Sequence, residues 1–165
     1  ILDWFVYRNL FVTMPGVEYY ADEFQNIDSR WTAAGAVGIF PVRNNDVEWS
    51  ISIGGGYQAT DYISVEEGTP GSTNTGTLIP ATNLDWELTG ALELEFDYNG
   101  QISVPETENA FHHAFVLLSV EVWNDNIKLE TSVTWDHVQS PRAREDGSVP
   151  QRDDIRTYIG FSLEI

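Results

Sequence analysis

The stretch ALELEFDYNGQISV, residues 91–104, alternates almost without fault. Leu92, Leu94, Phe96, Tyr98, Ile102 and Val104 share one parity; Glu93, Glu95, Asp97, Asn99, Gln101 and Ser103 share the other. A strand turns successive side chains to opposite faces, so this is the pattern of a strand with one apolar and one acidic face. The same period recurs along the chain and leaves no convincing helix. About eight strands can be read from it, over residues 10–21, 30–42, 47–63, 77–88, 91–104, 111–123, 127–138 and 153–165. The first is the weakest, because Pro15 cannot donate to a ladder.

Most of these runs match or exceed the ~9–11 residues that a tilted strand needs to cross a bilayer. The connections alternate in length. Going back from the C-terminus, PRAREDGSVPQR is long, NDN short, PETENA longer and TGA short. EEGTPGSTNTG is long again, RNND short and DEFQNID longer. Outer-membrane barrels have short periplasmic turns and longer external loops. With Ile165 on the periplasmic side, every connection falls into its class. A β-sandwich with Greek-key connections has no reason to keep that rhythm.

On the apolar parity, Trp49 and Trp86 stand at the short-turn side, and Tyr19, Trp31, Tyr57 and Trp135 toward the long loops. Trp49 and Tyr57 are separated by roughly 27 Å of strand at ~3.4 Å per residue. A tilt of about 40° reduces this to ~20 Å of depth, near the ~25 Å apolar band of membrane barrels. These six aromatics are therefore the candidate membrane-interface belts. The apolar parity is expected to face lipid and the acidic parity a lumen. Closure is required, because open sheet edges in hydrocarbon strand backbone donors and acceptors.

Composition sets limits without deciding the matter. The 165 residues suffice for one domain with a real core, and 42 % hydrophobic content is ordinary. No run approaches the roughly 18 apolar residues of a transmembrane helix. There are 26 acidic and 8 basic side chains, with Lys128 the sole lysine, and the net charge of −18 excludes nucleic acid as an expected partner. Cysteine is absent. The opening ILDWFVYRNL has no initiator Met and no leader, and reads as a processed or incomplete start.

The segments RNLFVTMPGVEYYADEFQNIDSRWTAAGAVGIFPV, VEWSISIGGGYQATDYISVE, LDWELTGALELEFDY and DDIRTYIGFSLEI resemble the salt-induced outer-membrane protein family, a domain of unknown function. The resemblance covers nearly the whole chain from about Arg8 and is to the C-terminal part of such a protein. It implies an outer-membrane β-barrel and carries over no catalytic residue. The last strand also resembles the signal that the barrel-assembly machinery reads, with Ile159, Phe161, Leu163 and Ile165 alternating, although Ile165 stands where an aromatic is usual.

The candidate lumen-facing acids are Glu48, Asp85, Glu87, Glu93, Glu95, Asp97, Glu121, Glu130 and Asp136, with Glu18 and Glu164 on the same parity. The candidate lumen-facing bases are Arg30, Lys128 and Arg156. Such a lumen would gather cations. Alternatively its side chains simply fill a narrow barrel. His112 and His113 are adjacent, face opposite ways and cannot share an ion. His113 lies roughly 20 Å of strand from Ser119, too far for a triad. His137 near a loop is expected to be solvated. Gly54, Gly55 and Gly56 lack the following Lys-Ser/Thr of a phosphate loop and read as relief of crowding or a bend. Glu66, Glu67, Glu145 and Asp146 on external loops could collect divalent cations, without the spacing of a metal motif.

The expected fold is an all-β, antiparallel up-and-down transmembrane β-barrel, one domain over residues 1–165, integral to the bacterial outer membrane. The expected function is a structural or weakly permeable envelope role, tied to salt or osmotic stress by the resemblance alone. No enzyme activity, cofactor or metal is expected. The expected partners are outer-membrane lipid and lipopolysaccharide, and the barrel-assembly machinery during insertion; a homo-oligomer or envelope complex stays open. A soluble periplasmic or secreted barrel binding an apolar ligand, and an interaction subunit of a larger envelope assembly, are the alternatives.

Overall fold

A computed structural model describes residues 3–105, 109–123 and 127–163. The NDN turn, Glu164 and Ile165 lie outside the described residues. Nine strands follow one another: β1 (Asp3–Tyr7), β2 (Leu10–Asp22), β3 (Ile27–Arg43), β4 (Val47–Tyr62), β5 (Ser72–Thr89), β6 (Leu92–Val104), β7 (Ala110–Trp123), β8 (Ile127–Val138) and β9 (Asp153–Leu163). They form one antiparallel sheet in which each strand pairs with the next in sequence. The all-β antiparallel meander expected from the alternation is present.

Two features differ from that expectation. The opening stretch, which carries no clear alternation, forms a further strand, β1, against β2. The sheet is also open: among the described residues β1 and β9 pair with one neighbour each and not with one another.

The sheet is nevertheless strongly curled. Tyr20 on β2 and Phe111 on β7 have ring centroids 5.0 Å apart. In a flat sheet those strands would lie on the order of 24 Å apart at ~4.8 Å per strand. Side chains from β3 and β6 also hydrogen-bond directly, as Thr32 does to Gln101 at 3.2 Å. The face that meets itself in this way is concave, and it is the polar one.

Burial follows the curl and reverses the usual order of a globular protein. On the concave face Thr32, Ser50, Gln58, Thr60, Thr77, Gln101, Ser103, Ser119 and Asp136 are buried. On the convex face Trp31, Val37, Ile53, Tyr57, Leu78, Val116, Leu118 and Val133 are exposed. The apolar cluster inside is small, made of Ile27, Phe111 and Val138 with Tyr20 against them.

Two prolines sit where the ladder changes register. The pairing of β2 with β3 shifts between Thr13 and Gly16, around Pro15. The pairing of β3 with β4 shifts between Ile39 and Val42, around Pro41. A bulge leaves one residue unpaired, which is where proline's missing donor is tolerated. Each shift also exchanges which parity faces inward. Phe11 thus comes to the concave face and is buried against Phe40, which already shares the inward parity of Arg30 and Thr32, with ring centroids 4.9 Å apart. Phe5 joins them at 5.8 Å from Phe40.

Residues 8–9, 44–46 and 90–91 are tight turns at one end, and 63–71 and 139–152 are long at the other. The connection expected to be longer at DEFQNID is only four residues, 23–26, because β2 and β3 extend into it.

Candidate functional site: the concave face

The register places the concave side chains in rows across neighbouring strands. Glu48 stands opposite Asp85, which stands opposite Glu95. In the next row Glu87 opposes Glu93, Glu93 opposes Ser119 and Ser119 opposes Glu130. Like charges directly opposed across a ladder are destabilising. Only part of this is compensated. Arg43 Nε lies 3.0 Å from Glu48, and Lys128 Nζ lies 3.7 Å from Glu93 and pairs in register with Glu121. The Ser162 hydroxyl donates to Glu130 at 2.6 Å, and the Asn83 amide donates to Asp97. All these acids lie on the tight-turn half of the face. Beside Glu87, Glu93, Ser119, Glu121 and Lys128 there is a cavity of about 210 Å³.

At mid-height the interior is crossed by neutral side chains. Gln58 Nε2 donates to Gln101 Oε1 at 2.6 Å and to the Thr32 hydroxyl at 3.3 Å. Gln101 Nε2 donates in turn to Glu18 at 2.9 Å. Four strands, β2, β3, β4 and β6, are joined by this one network. It has room to cross because the same face carries Gly54 and Gly56 beside Ala34 and Ala36. A Cβ at Gly56 would run into the Ala33 carbonyl and Ala34, while one at Gly55 would meet only the Thr77 carbonyl at 3.9 Å. Gly54 and Gly56 thus relieve crowding, one of the two readings the sequence offered, and Gly55 does not.

Toward the long loops Asp136 is 1 % exposed. Its carboxylate pairs with His113 Nδ1 at 2.6 Å and with Arg156. Arg156 also reaches Asp154, Nε to Oδ2, at 3.2 Å. His113 thus has an acid partner that spacing along its own strand could not reveal. No hydroxyl hydrogen-bonds its ring among the described residues, so no nucleophile joins the pair. Arg30, 7 % exposed, donates from Nε to Thr60 at 3.3 Å and lies over the rings of Phe111 and Tyr20 at 5.1 and 5.8 Å.

Asn26 ties the long loops together. Its Nδ2 donates to the carbonyls of Ser64 at 2.7 Å and Arg142 at 3.4 Å, and its Oδ1 accepts from Ser64 N at 3.2 Å. Arg142 Nη1 donates to the Pro70 carbonyl at 2.8 Å, and Arg144 Nη2 to that of Glu23 at 3.1 Å. Asn26 has φ 63°, a left-handed conformation that asparagine tolerates better than most residues. Of the loop acids, Asp146 is engaged by its own turn. The Ser148 hydroxyl and amide hold its carboxyl below the usual carboxylate range, and Ser148 N lies 2.9 Å away. Among the described residues no group of three His, Asp or Glu side chains is arranged to hold a metal ion.

The sequence-derived sets separate by face. Glu48, Asp85, Glu87, Glu93, Glu95, Asp97, Glu121, Glu130, Asp136, Arg30, Lys128 and Arg156 share the concave face through the register pairs. Asp85 and Glu87 are exposed rather than enclosed. Tyr19, Trp31, Trp49, Tyr57, Trp86 and Trp135 lie on the convex face, with the Tyr19 and Trp31 rings 4.8 Å apart.

His112 and His113 do face opposite ways. His112 Nδ1 meets the Tyr98 hydroxyl at 2.8 Å on the convex side. His137 is not simply solvated: its Nδ1 lies 2.8 Å from Asp153, and its ring stacks on Trp135 at 5.5 Å. The Gln58–Gln101 bridge and the buried Phe40 escaped the sequence reading. The first depends on curl; the second sits on the inward parity of β3 with Arg30 and Thr32.

A single antiparallel meander, polar within its curve and apolar outside it, defines the class: an all-β protein with the polarity of its faces inverted. The chain belongs to the family described as Protein of unknown function, DUF481, whose model matches residues 2–163. No curated protein and no solved structure matches the chain.

Proposed function

We propose that this chain is a membrane-spanning envelope protein of the bacterial outer membrane, a β-barrel whose convex face meets lipid. One observation carries this reading: exposed aliphatic and aromatic side chains recur along one face of the sheet on β3, β4, β5, β7, β8 and β9, while amides, hydroxyls and the Asp136 carboxylate are buried on the other. In water, an exposed apolar surface of this extent is an interaction site or a liability; in a bilayer it is the required solvent-facing surface. The convex aromatics near both ends of the strands and the two lengths of connection support the same placement. Lipid cannot satisfy the outer backbone groups of β1 and β9, so both edges must be paired in the membrane.

The role that fits best is structural, with weak passive permeation of cations. The Gln58–Gln101–Glu18 crossing fills the middle, and the opposed carboxylates on the tight-turn side favour cations over anions at that mouth. The two cavities described on the concave face are lined largely by polar side chains, which gives the soluble ligand-binding alternative no specific support. A link to salt or osmotic stress rests on the family resemblance alone.

Fractionation tests the placement. The protein should stay with membranes through alkaline carbonate washing, require detergent for release, and migrate faster on gels before boiling than after. Recovery in the aqueous fraction without detergent would end the reading.

A further inference from the structure

We propose that the concave face holds a small monovalent anion, of halide size, against Arg30. Arg30 is a buried cation whose hydrogen-bonding capacity is only partly used. Its Nε is taken by Thr60 and its flat face by two rings, yet Nη1 is buried with no hydrogen-bond partner. The carboxylate on the adjoining strand, Glu18, accepts from Gln101 instead. A buried guanidinium without a bonded counter-charge is costly, and the cost falls when an anion supplies one.

Arg30 lines a cavity of about 30 Å³ toward the long loops. Its walls carry Thr60, Thr73, Thr75, Ser103 and Ser140, so several hydroxyls can turn a proton toward an acceptor beside the guanidinium. One of these contacts is already made within the protein, Thr75 Oγ1 donating to Ser103 Oγ at 3.3 Å.

Size and charge select the ligand class. One water needs roughly 10–15 Å³ by the same measure, so the space admits a halide and excludes a hydrated divalent anion. Among the described residues no carboxylate lines the cavity, in contrast to the acid rows on the tight-turn half. The Arg30 cavity therefore favours the opposite sign of ion from the acid rows. This inference concerns the pocket and does not need the convex face to meet lipid, so it can fail while the membrane reading stands, and the reverse.

The probe is chloride, with bromide for location. Folded protein in detergent is melted in sodium chloride and in sodium gluconate at matched ionic strength, so that general screening is equal. The expected result is a saturable rise in Tm of a few degrees in chloride and in bromide, absent in gluconate. Arg30→Gln should abolish it. Should that variant not fold, Thr75→Val keeps the guanidinium and removes one wall hydroxyl, and the half-saturating chloride concentration should rise several-fold. Crystals grown in bromide should show an anomalous peak within hydrogen-bond distance of Nη1. Equal melting in chloride and gluconate, an undiminished rise in Arg30→Gln, an unchanged half-saturation in Thr75→Val, or an ordered water at Nη1 without anomalous signal would each overturn the proposal.

Discussion

Asp136 holds His113 and Arg156 on one carboxylate while almost wholly buried. His113 and Arg156 keep part of their surface in solvent, so removing the acid strands no fully buried partner. The cost of Asp136→Asn is therefore that of imperfectly replaced charge-assisted bonds, about 1–3 kcal/mol. A lower urea midpoint at unchanged m in lipid vesicles would report it. Gly56 and Gly55 offer a matched pair on one strand. Gly56→Ala forces a Cβ into the Ala33 carbonyl and should destabilise by about 1–3 kcal/mol. Gly55→Ala makes only an ordinary contact with the Thr77 carbonyl and should be near neutral or slightly stabilising, since glycine is a weak strand residue. Equal losses at both sites, read from the same unfolding curves, would mean that the crowding beneath Gly56 is not what selects glycine there.

The element that tests the inverted polarity most directly is β7. Val116 points from its convex face and Ser119 from its concave face. In a bilayer Val116→Arg should cost about 2–4 kcal/mol near the midplane, measured by reversible folding into vesicles. On a water-facing surface the same change should stay within about 0.5 kcal/mol. At the level of strands joined across the interior, Gln101 is the node between Gln58, Thr32 and Glu18. Gln101→Ala removes the crossing without touching a backbone ladder, and single-channel conductance in planar bilayers should rise above that of the unaltered protein. No change would place the restriction elsewhere along the axis, with the aromatic contacts of Phe5, Phe11 and Phe40 as the next element to open.

For the whole molecule, charge is distributed along the axis rather than evenly. The acid rows occupy the tight-turn half, and the isolated Arg30 lies toward the long loops. If ions pass, reversal potentials should show cation selectivity, and Glu93→Gln with Asp97→Asn should reduce it, because the field of the rows falls with each carboxylate removed. Much of this architecture was legible beforehand. Strict two-residue alternation over long runs, broken at short and long connections in turn, admits little besides an antiparallel meander with unlike faces, since pleating makes that period unavoidable. The parity sets, the six convex aromatics and the divergence of His112 from His113 follow from the same local geometry. What alternation could not convey is anything set by curl or by a slipped ladder. The bulges at Pro15 and Pro41 exchange the faces, and the first of them turns Phe11 inward onto Phe40. The curl brings Gln101 to Gln58 and Phe111 over Arg30, and the pairing of strands puts Asp136 beside His113. The open edges of β1 and β9 belong to this second group as well. Side-chain period is a property of one strand and is written in its residues, whereas register, curvature and closure are properties of strands together and exist only once they have paired.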